Sequence, residues 1–155
     1  MANYTIEERS LVPQPTAFIH LEATVATIPQ AIAEALGEIA PYLEESGIEM
    51  GELPFARYYD VQPEKVVFDA GFPVSRPVTP RGRVQSGELP GGPAIVTTHF
   101  GLYDQMRPAY EALKQWAQEH GRAAAGAPWE LYYTDPAAEP NLERWKTEIV
   151  QPLAS

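Results

Sequence analysis

The chain of 155 residues contains no cysteine, which excludes disulfides, thiolate metal sites and a cysteine nucleophile. It has only three histidines, at His20, His99 and His120, and they are far apart in the sequence. Their spacing does not match that of metal ligands, so a metal would have to rely on carboxylates. We therefore expect neither a metal nor another cofactor.

Positive charge is also scarce, with 11 Lys and Arg against 21 Asp and Glu and a net charge of −10. Binding to phosphate backbones depends on basic side chains, so we expect no nucleic-acid partner. No apolar run approaches the roughly 20 residues that span a bilayer, and the N-terminus lacks the pattern of a signal peptide. The sequence predicts a cytoplasmic protein without a membrane partner.

What the chain does have is 45% hydrophobic residues, enough for the core of a single domain over residues 1–155. Helical periodicity appears over residues 27–46, ending at Gly47, and over residues 103–120, ending at Gly121. Thr27 is a candidate N-cap of the first helix, and Pro41 predicts a kink within it. The inward-facing stripe of the first helix is predicted to be Ile28, Ile32, Leu36, Ile39 and Leu43. That of the second helix is predicted to be Met106, Tyr110, Leu113 and Trp116 or Ala117.

The chain repeats itself at an offset of 74 positions, the distance between Gly47 and Gly121. The sequence therefore predicts an α+β fold made of a duplicated strand-helix-strand-strand unit with pseudo-two-fold symmetry. Its strands are antiparallel, its two long helices lie on one side, and a ligand pocket lies between the half-repeats, about 1–78 and 79–155. The predicted strands are 17–23, 55–61, 65–72, 94–100, 129–134 and 145–150, with additional strands near 4–11 and 84–88 before the two repeats.

Glu130 is the most unusual residue of these predicted strands. Alternation puts Trp129, Leu131 and Tyr133 on one side, which we expect to meet the helices, and Glu130 and Tyr132 on the side facing away. A carboxylate among apolar residues needs an explanation, because burial of an unpaired charge costs several kcal/mol or raises its pKa.

Two explanations for Glu130 remain open at this stage. It contacts a ligand, or it lies at a solvent-facing edge or pairs with Arg57 or Lys146. The repeat favours the first explanation, since the two halves agree along this strand except that Ala56 of the first half is replaced by Glu130.

The chain resembles the GyrI-like (gyrase-inhibitor-like) small-molecule-binding domain, also known as the effector-binding domain of AraC-type and MerR-type regulators. The segments that carry the resemblance are residues 55–58 (FARY), 70–74 (AGFPV), 89–92 (LPGG), 99–104 (HFGLYD), 128–132 (PWELY) and 145–153 (WKTEIVQPL). The resemblance implies a pocket with a central acid, here Glu130, and aromatic walls at Tyr58, Tyr132 and Trp145. Further candidates for these walls are Phe55, Phe72, His99 and Tyr103.

The resemblance also implies a function. We expect a stand-alone domain that binds a small amphipathic, cationic or aromatic molecule, for sequestration, sensing or resistance to a drug or toxin. One alternative is a hydrolase of cyclopropane-containing toxins with Glu130 as acid or base, although the sequence shows no second catalytic group. Another is an inhibitor or partner of a topoisomerase. A protein partner or a homodimer is compatible with each of these functions.

Overall fold

A computed structural model of the chain describes residues 4–51, 53–101, 105–134 and 138–154. In these residues the chain forms eight strands and two α-helices, so the predicted α+β class is confirmed. They are β1 (Glu7–Leu11), β2 (Gln14–Ala23), α1 (Ile28–Ser46), β3 (Phe55–Gln62), β4 (Lys65–Pro73), β5 (Gln85–Leu89), β6 (Gly92–Phe100), α2 (Arg107–Glu119), β7 (Trp129–Tyr132) and β8 (Lys146–Pro152).

The chain divides into two compact units. We call Pro13–Pro90 the central unit, and Met1–Val12 with Gly91–Ser155 the terminal unit. The central unit holds β2, α1, β3, β4 and β5, and the terminal unit holds β1, β6, α2, β7 and β8. Each unit therefore contains one predicted strand-helix-strand-strand repeat and one further strand. The boundary between half-repeats near residue 78 stays a prediction.

In the central unit the strand order is β3-β4-β2-β5, with antiparallel pairing throughout. The helix α1 packs on β2 and β4 and buries Ala35, Ile39 and Leu43. Phe68 of β4 and Ile19 of β2 are fully buried. Helix and sheet therefore share one apolar layer, as the period of the α1 stripe predicts.

The ends of α1 follow from local chemistry. Thr27 occupies the N-cap position, as predicted, but its hydroxyl does not cap the helix and instead bonds the Thr24 backbone. The helix continues through Pro41. At its end Gly47 adopts a left-handed conformation (φ 65°), and its N–H bonds the Glu44 carbonyl. Only glycine adopts this conformation without strain, so the chain leaves the helix at that point.

In the terminal unit the order is β1-β6-β8-β7, again antiparallel. The helix α2 packs on β6 and β8. The buried core of this unit is formed by Ile95, Met106, Ala109, Leu113, Ala117, Ile149 and Leu153, with Tyr4, Ile6, Tyr110 and Trp116 packed against it. The predicted inward stripe of the second helix is confirmed.

The predicted start of that helix is wrong. The prediction placed it at Tyr103, which lies outside the described residues, and α2 begins only at Arg107. Pro108 explains the difference, because a proline is compatible with the first turn of a helix but not with its interior.

The two additional strands pair in a way that the repeat does not predict. β1 precedes the first repeat in the sequence but pairs with β6 of the terminal unit, and β5 precedes the second repeat but pairs with β2 of the central unit. Each unit thus gains a strand from beyond its own repeat. Neither α1 nor α2, the helices of the described part, is long and apolar enough to cross a membrane.

Candidate functional site

In the terminal unit, Glu130 lies on the face of the strands that α2 covers. It is directly opposite Ile149, a member of the core beneath α2, and it accepts a hydrogen bond from Tyr110 of that helix. The prediction that Glu130 and Tyr132 face away from the helices is therefore wrong. Alternation separates the residues of β7 into two sets, but the pairing with β8 decides which set faces α2.

The Glu130 carboxylate is almost fully buried, with 7% of the residue exposed. Tyr132 donates a hydrogen bond of 2.8 Å to its Oε1, and Tyr110 donates to its Oε2. Burial raises the pKa of the Glu130 carboxyl above its ordinary value, and the two hydrogen bonds only partly offset this rise. Both donors are neutral, so they satisfy the oxygens without compensating the negative charge.

Lys146, one of the partners considered for Glu130, lies elsewhere. Its ammonium nitrogen is 4.2 Å from the ring centroid of Tyr133. Lys146 and Glu148 alternate with Thr147, so they occupy the face of the sheet opposite α2. There Glu148 accepts hydrogen bonds from Tyr133 and Arg9, at 3.3 and 3.1 Å.

Next to Glu130, three residues lie opposite one another across β7, β8 and β6: Tyr132, Thr147 and His99. We call them the polar row. His99 Nδ1 is 2.9 Å from the Tyr4 hydroxyl, and the two rings are stacked. Thr147 is completely buried, and within the described residues its Oγ1 has no hydrogen-bond partner.

The central unit has an equivalent row formed by Tyr58, Phe68 and Leu21 across β3, β4 and β2. Tyr58 and Phe68 stack with ring centroids 5.5 Å apart. The two rows share a tyrosine, but Phe68 and Leu21 correspond to Thr147 and His99. Together with the replacement of Ala56 by Glu130, these changes make the second repeat polar where the first is apolar.

The remaining predicted site residues are distributed over both units. Trp145 is half-buried just before β8, and its indole N–H donates to the Glu139 carbonyl at 2.9 Å. Phe72 is half-buried in β4 opposite Ala17, on the same face as Phe68. Tyr103 lies outside the described residues.

Phe55 and Tyr58 lie on opposite faces of β3. Phe55 is buried and lines a cavity of about 200 Å³ together with Arg57, Tyr59 and Asp69. Asp69 accepts a hydrogen bond of 2.8 Å from Tyr59 and pairs with His20 at 2.7 Å. A common site formed by Glu130, Tyr58, Phe55 and Phe72 stays a prediction.

Sequence reasoning missed two residues of the Glu130 environment. Tyr110 was assigned to the inward stripe of α2, but its contact with Glu130 depends on the tertiary structure. Thr147 belongs to a segment that carries the resemblance, yet nothing in that segment distinguishes its hydroxyl. In the described part of the chain, no group of three His, Asp or Glu side chains could hold a metal ion.

A repeated strand-helix-strand-strand pattern, with antiparallel strands and one helix packed on them in each unit, defines a duplicated α+β domain. The chain belongs to the GyrI-like small molecule binding domain family, whose sequence model matches residues 3–154. The resemblance found in the sequence is therefore confirmed. No curated protein matches the chain significantly.

Several solved structures are similar to this chain at low sequence identity, and they support the fold. The C-terminal domain of EcmrR has a TM-score of 0.86 at 19% identity, covering 98% of both chains. A hydrolase from Listeria innocua has a TM-score of 0.70 at 14% identity, covering 96% of this chain and 91% of that one. SAV2435 bound to tetraphenylphosphonium has a TM-score of 0.59 at 10% identity, covering 99% and 95%. The chain spans 58% of the EcmrR chain in a complex with DNA.

Proposed function

We propose that this domain binds a small amphipathic organic cation, with Glu130 as the partner of the positive charge. The observation that carries the proposal is a buried carboxylate with two neutral hydroxyl donors, Tyr110 and Tyr132. It occupies the position where the first repeat has Ala56.

A cation is the ligand that this arrangement favours. Burial of a charge without a counter-charge costs several kcal/mol, and a bound cation would offset that cost. Aromatic ring faces add cation–π attraction of about 0.5–2 kcal/mol each. Tyr110 and Tyr132 touch the carboxylate directly, and their rings would lie beside a cation bound to it.

The family description and one similar structure support this ligand class. The family is a small molecule binding domain, and SAV2435 was solved with tetraphenylphosphonium, a lipophilic cation. For this chain we propose sequestration or sensing of such a compound in the cytoplasm. The walls proposed from the sequence are Tyr58, Tyr132, Trp145, Phe55, Phe72, His99 and Tyr103.

Calorimetric titration with tetraphenylphosphonium tests the proposal. The unmodified protein should bind, and Glu130→Gln should weaken binding by about 30-fold or more, because losing one partner of a buried charge pair costs roughly 2–5 kcal/mol. The matched control is Glu148→Gln. Glu148 is equally buried and also accepts a tyrosine hydroxyl, but it lies on the face opposite α2.

Binding by the control should stay within about twofold of the unmodified protein. Circular dichroism and thermal unfolding would first establish that both variants are folded. Equal affinities of the unmodified protein and Glu130→Gln would remove Glu130 from the site. Equal losses in both variants would point to a general effect of removing a buried acid.

A second candidate is hydrolysis of an electrophilic toxin, such as a compound with a reactive cyclopropane ring. The observation in its favour is the raised pKa of Glu130, because an acid that stays protonated closer to neutral pH can serve as general acid or base. Turnover that disappears in Glu130→Gln would support this candidate. Stoichiometric binding of the same compound without product formation would support binding alone.

A further inference from the structure

Thr147 has a buried hydroxyl that nothing in the proposed role of Glu130 uses. The residue is 0% exposed, and across the described residues its Oγ1 has no hydrogen-bond partner. Buried polar groups in folded proteins are nearly always hydrogen-bonded, because leaving one unpaired costs stability. The exception at Thr147 therefore calls for an explanation.

The position of Thr147 connects it to the Glu130 site. It is directly opposite Tyr132 on β7, and Tyr132 donates to Glu130 from two positions further along the strand. Glu130 and Thr147 are thus diagonal neighbours on one face of an antiparallel pair, which places their Cα atoms roughly 7–8 Å apart. A single small molecule can span this distance.

The equivalent position in the first repeat shows what a residue with a purely structural role looks like. The residue equivalent to Thr147 is Phe68, which is fully buried and stacks on Tyr58. In the second repeat the ring is replaced by a small hydroxyl-bearing side chain beside the equivalent Tyr132. A structural role alone would favour an apolar side chain, since valine has the shape of threonine and no unpaired hydroxyl.

We propose that Thr147 is a second recognition point of the Glu130 site, and this inference rests on the function proposed above. Its hydroxyl pairs with a hydroxyl, carbonyl or amine group that the ligand carries beside its cationic centre, on the side that faces Thr147. The ligand class is therefore an organic cation with a separate hydrogen-bonding group. A cation without a hydrogen-bonding group pairs with the carboxylate of Glu130 but leaves the hydroxyl of Thr147 unpaired.

Two probes that differ by one hydroxyl test this inference: tetraphenylphosphonium and (4-hydroxyphenyl)triphenylphosphonium. Calorimetry on the unmodified protein should show about three- to tenfold tighter binding of the hydroxylated probe, the usual net effect of one hydrogen bond. Thr147→Val should abolish this preference while the affinity for tetraphenylphosphonium stays within about twofold. Thr147→Ser, which keeps the hydroxyl, should retain the preference.

Each other outcome overturns the inference. No preference in the unmodified protein, or a preference that persists in Thr147→Val, means that the hydroxyl of Thr147 does not contact the ligand. An equal loss of affinity for both probes in Thr147→Val means that Thr147 acts only through packing. If neither probe binds the unmodified protein, the proposed function fails and the inference fails with it. Binding of both probes without discrimination leaves the proposed function standing and overturns the inference alone.

Discussion

The hydroxyl of Tyr110 donates a hydrogen bond to Glu130 Oε2 and so joins α2 to β7 within the terminal unit. With Tyr132 bonded to Oε1, both carboxylate oxygens are occupied by phenol groups beneath the helix. This contact makes the stability of the domain depend on the acid that we propose for ligand binding.

Tyr110→Phe removes one of the two donors and leaves Glu130 Oε2 buried without its partner. We expect the variant to lose about 1–3 kcal/mol of unfolding free energy, the usual cost of an unsatisfied buried acceptor. Urea denaturation would measure the loss. Tyr133→Phe is the control, because Tyr133 is 40% exposed and its bond to Glu148 is longer, at 3.3 Å. A smaller loss in Tyr110→Phe than in Tyr133→Phe would contradict the importance of the Tyr110 contact.

Glu130→Gln should change how stability depends on pH. Because burial raises the pKa of Glu130, the folded state binds its proton more tightly than the unfolded state does. The stability of the unmodified protein should then fall as pH rises from the ordinary pKa of a glutamate through the raised one. For each unit by which the pKa in the folded state exceeds that in the unfolded state, the unfolding free energy changes by about 1.4 kcal/mol over this pH range.

The glutamine variant lacks this titration, so its stability relative to the unmodified protein should increase between pH 4 and pH 8. Urea denaturation across that range would measure the difference. A relative stability that stays flat or decreases toward pH 8 would show that the tyrosine hydrogen bonds outweigh burial.

Cation binding should release a proton in the pH range where Glu130 is still partly protonated. A positive charge beside the carboxylate favours its ionised form and lowers the raised pKa. The affinity for tetraphenylphosphonium should therefore increase with pH until Glu130 is ionised in the free protein. Calorimetry in buffers of different ionisation enthalpy would count the released protons. Proton release that is the same in Glu130→Gln would assign it to another group.

Substitution of Gly71 tests the packing of the central unit. A Cβ added at Gly71 would lie 2.0 Å from the backbone oxygen of Ala17 on the neighbouring strand. Gly71→Ala should therefore cost about 3 kcal/mol or more, because backbone atoms cannot move aside as a flexible side chain can. Gly37→Ala is the matched control: Gly37 is exposed within α1 and has open space around its Cα. That change should increase the unfolding free energy by at most about 1 kcal/mol. Similar effects of the two substitutions would contradict this packing.

Local patterns were sufficient to predict most of the elements. The apolar stripe and Gly47 define α1 closely, since a period of 3.6 and a terminal glycine are local signals. The start of α2 was predicted too early because the stripe was extended past Pro108. The exchange of β1 and β5 was not predictable, because a strand carries no local signal that identifies its distant partner.

For the candidate site, the sequence by itself determined that one repeat carries an acid where the other carries Ala56, because this comparison needs only the order of residues. Tertiary structure alone decided that Glu130 points toward α2, that Tyr110 reaches it, and that Thr147 is buried without a partner in the described chain. The physical reason is that alternation along a strand shows which side chains share a face, but not which of the two faces meets the helix. Only the pairing of Glu130 with Ile149 on β8, and the packing of α2 over that face, selects one of them.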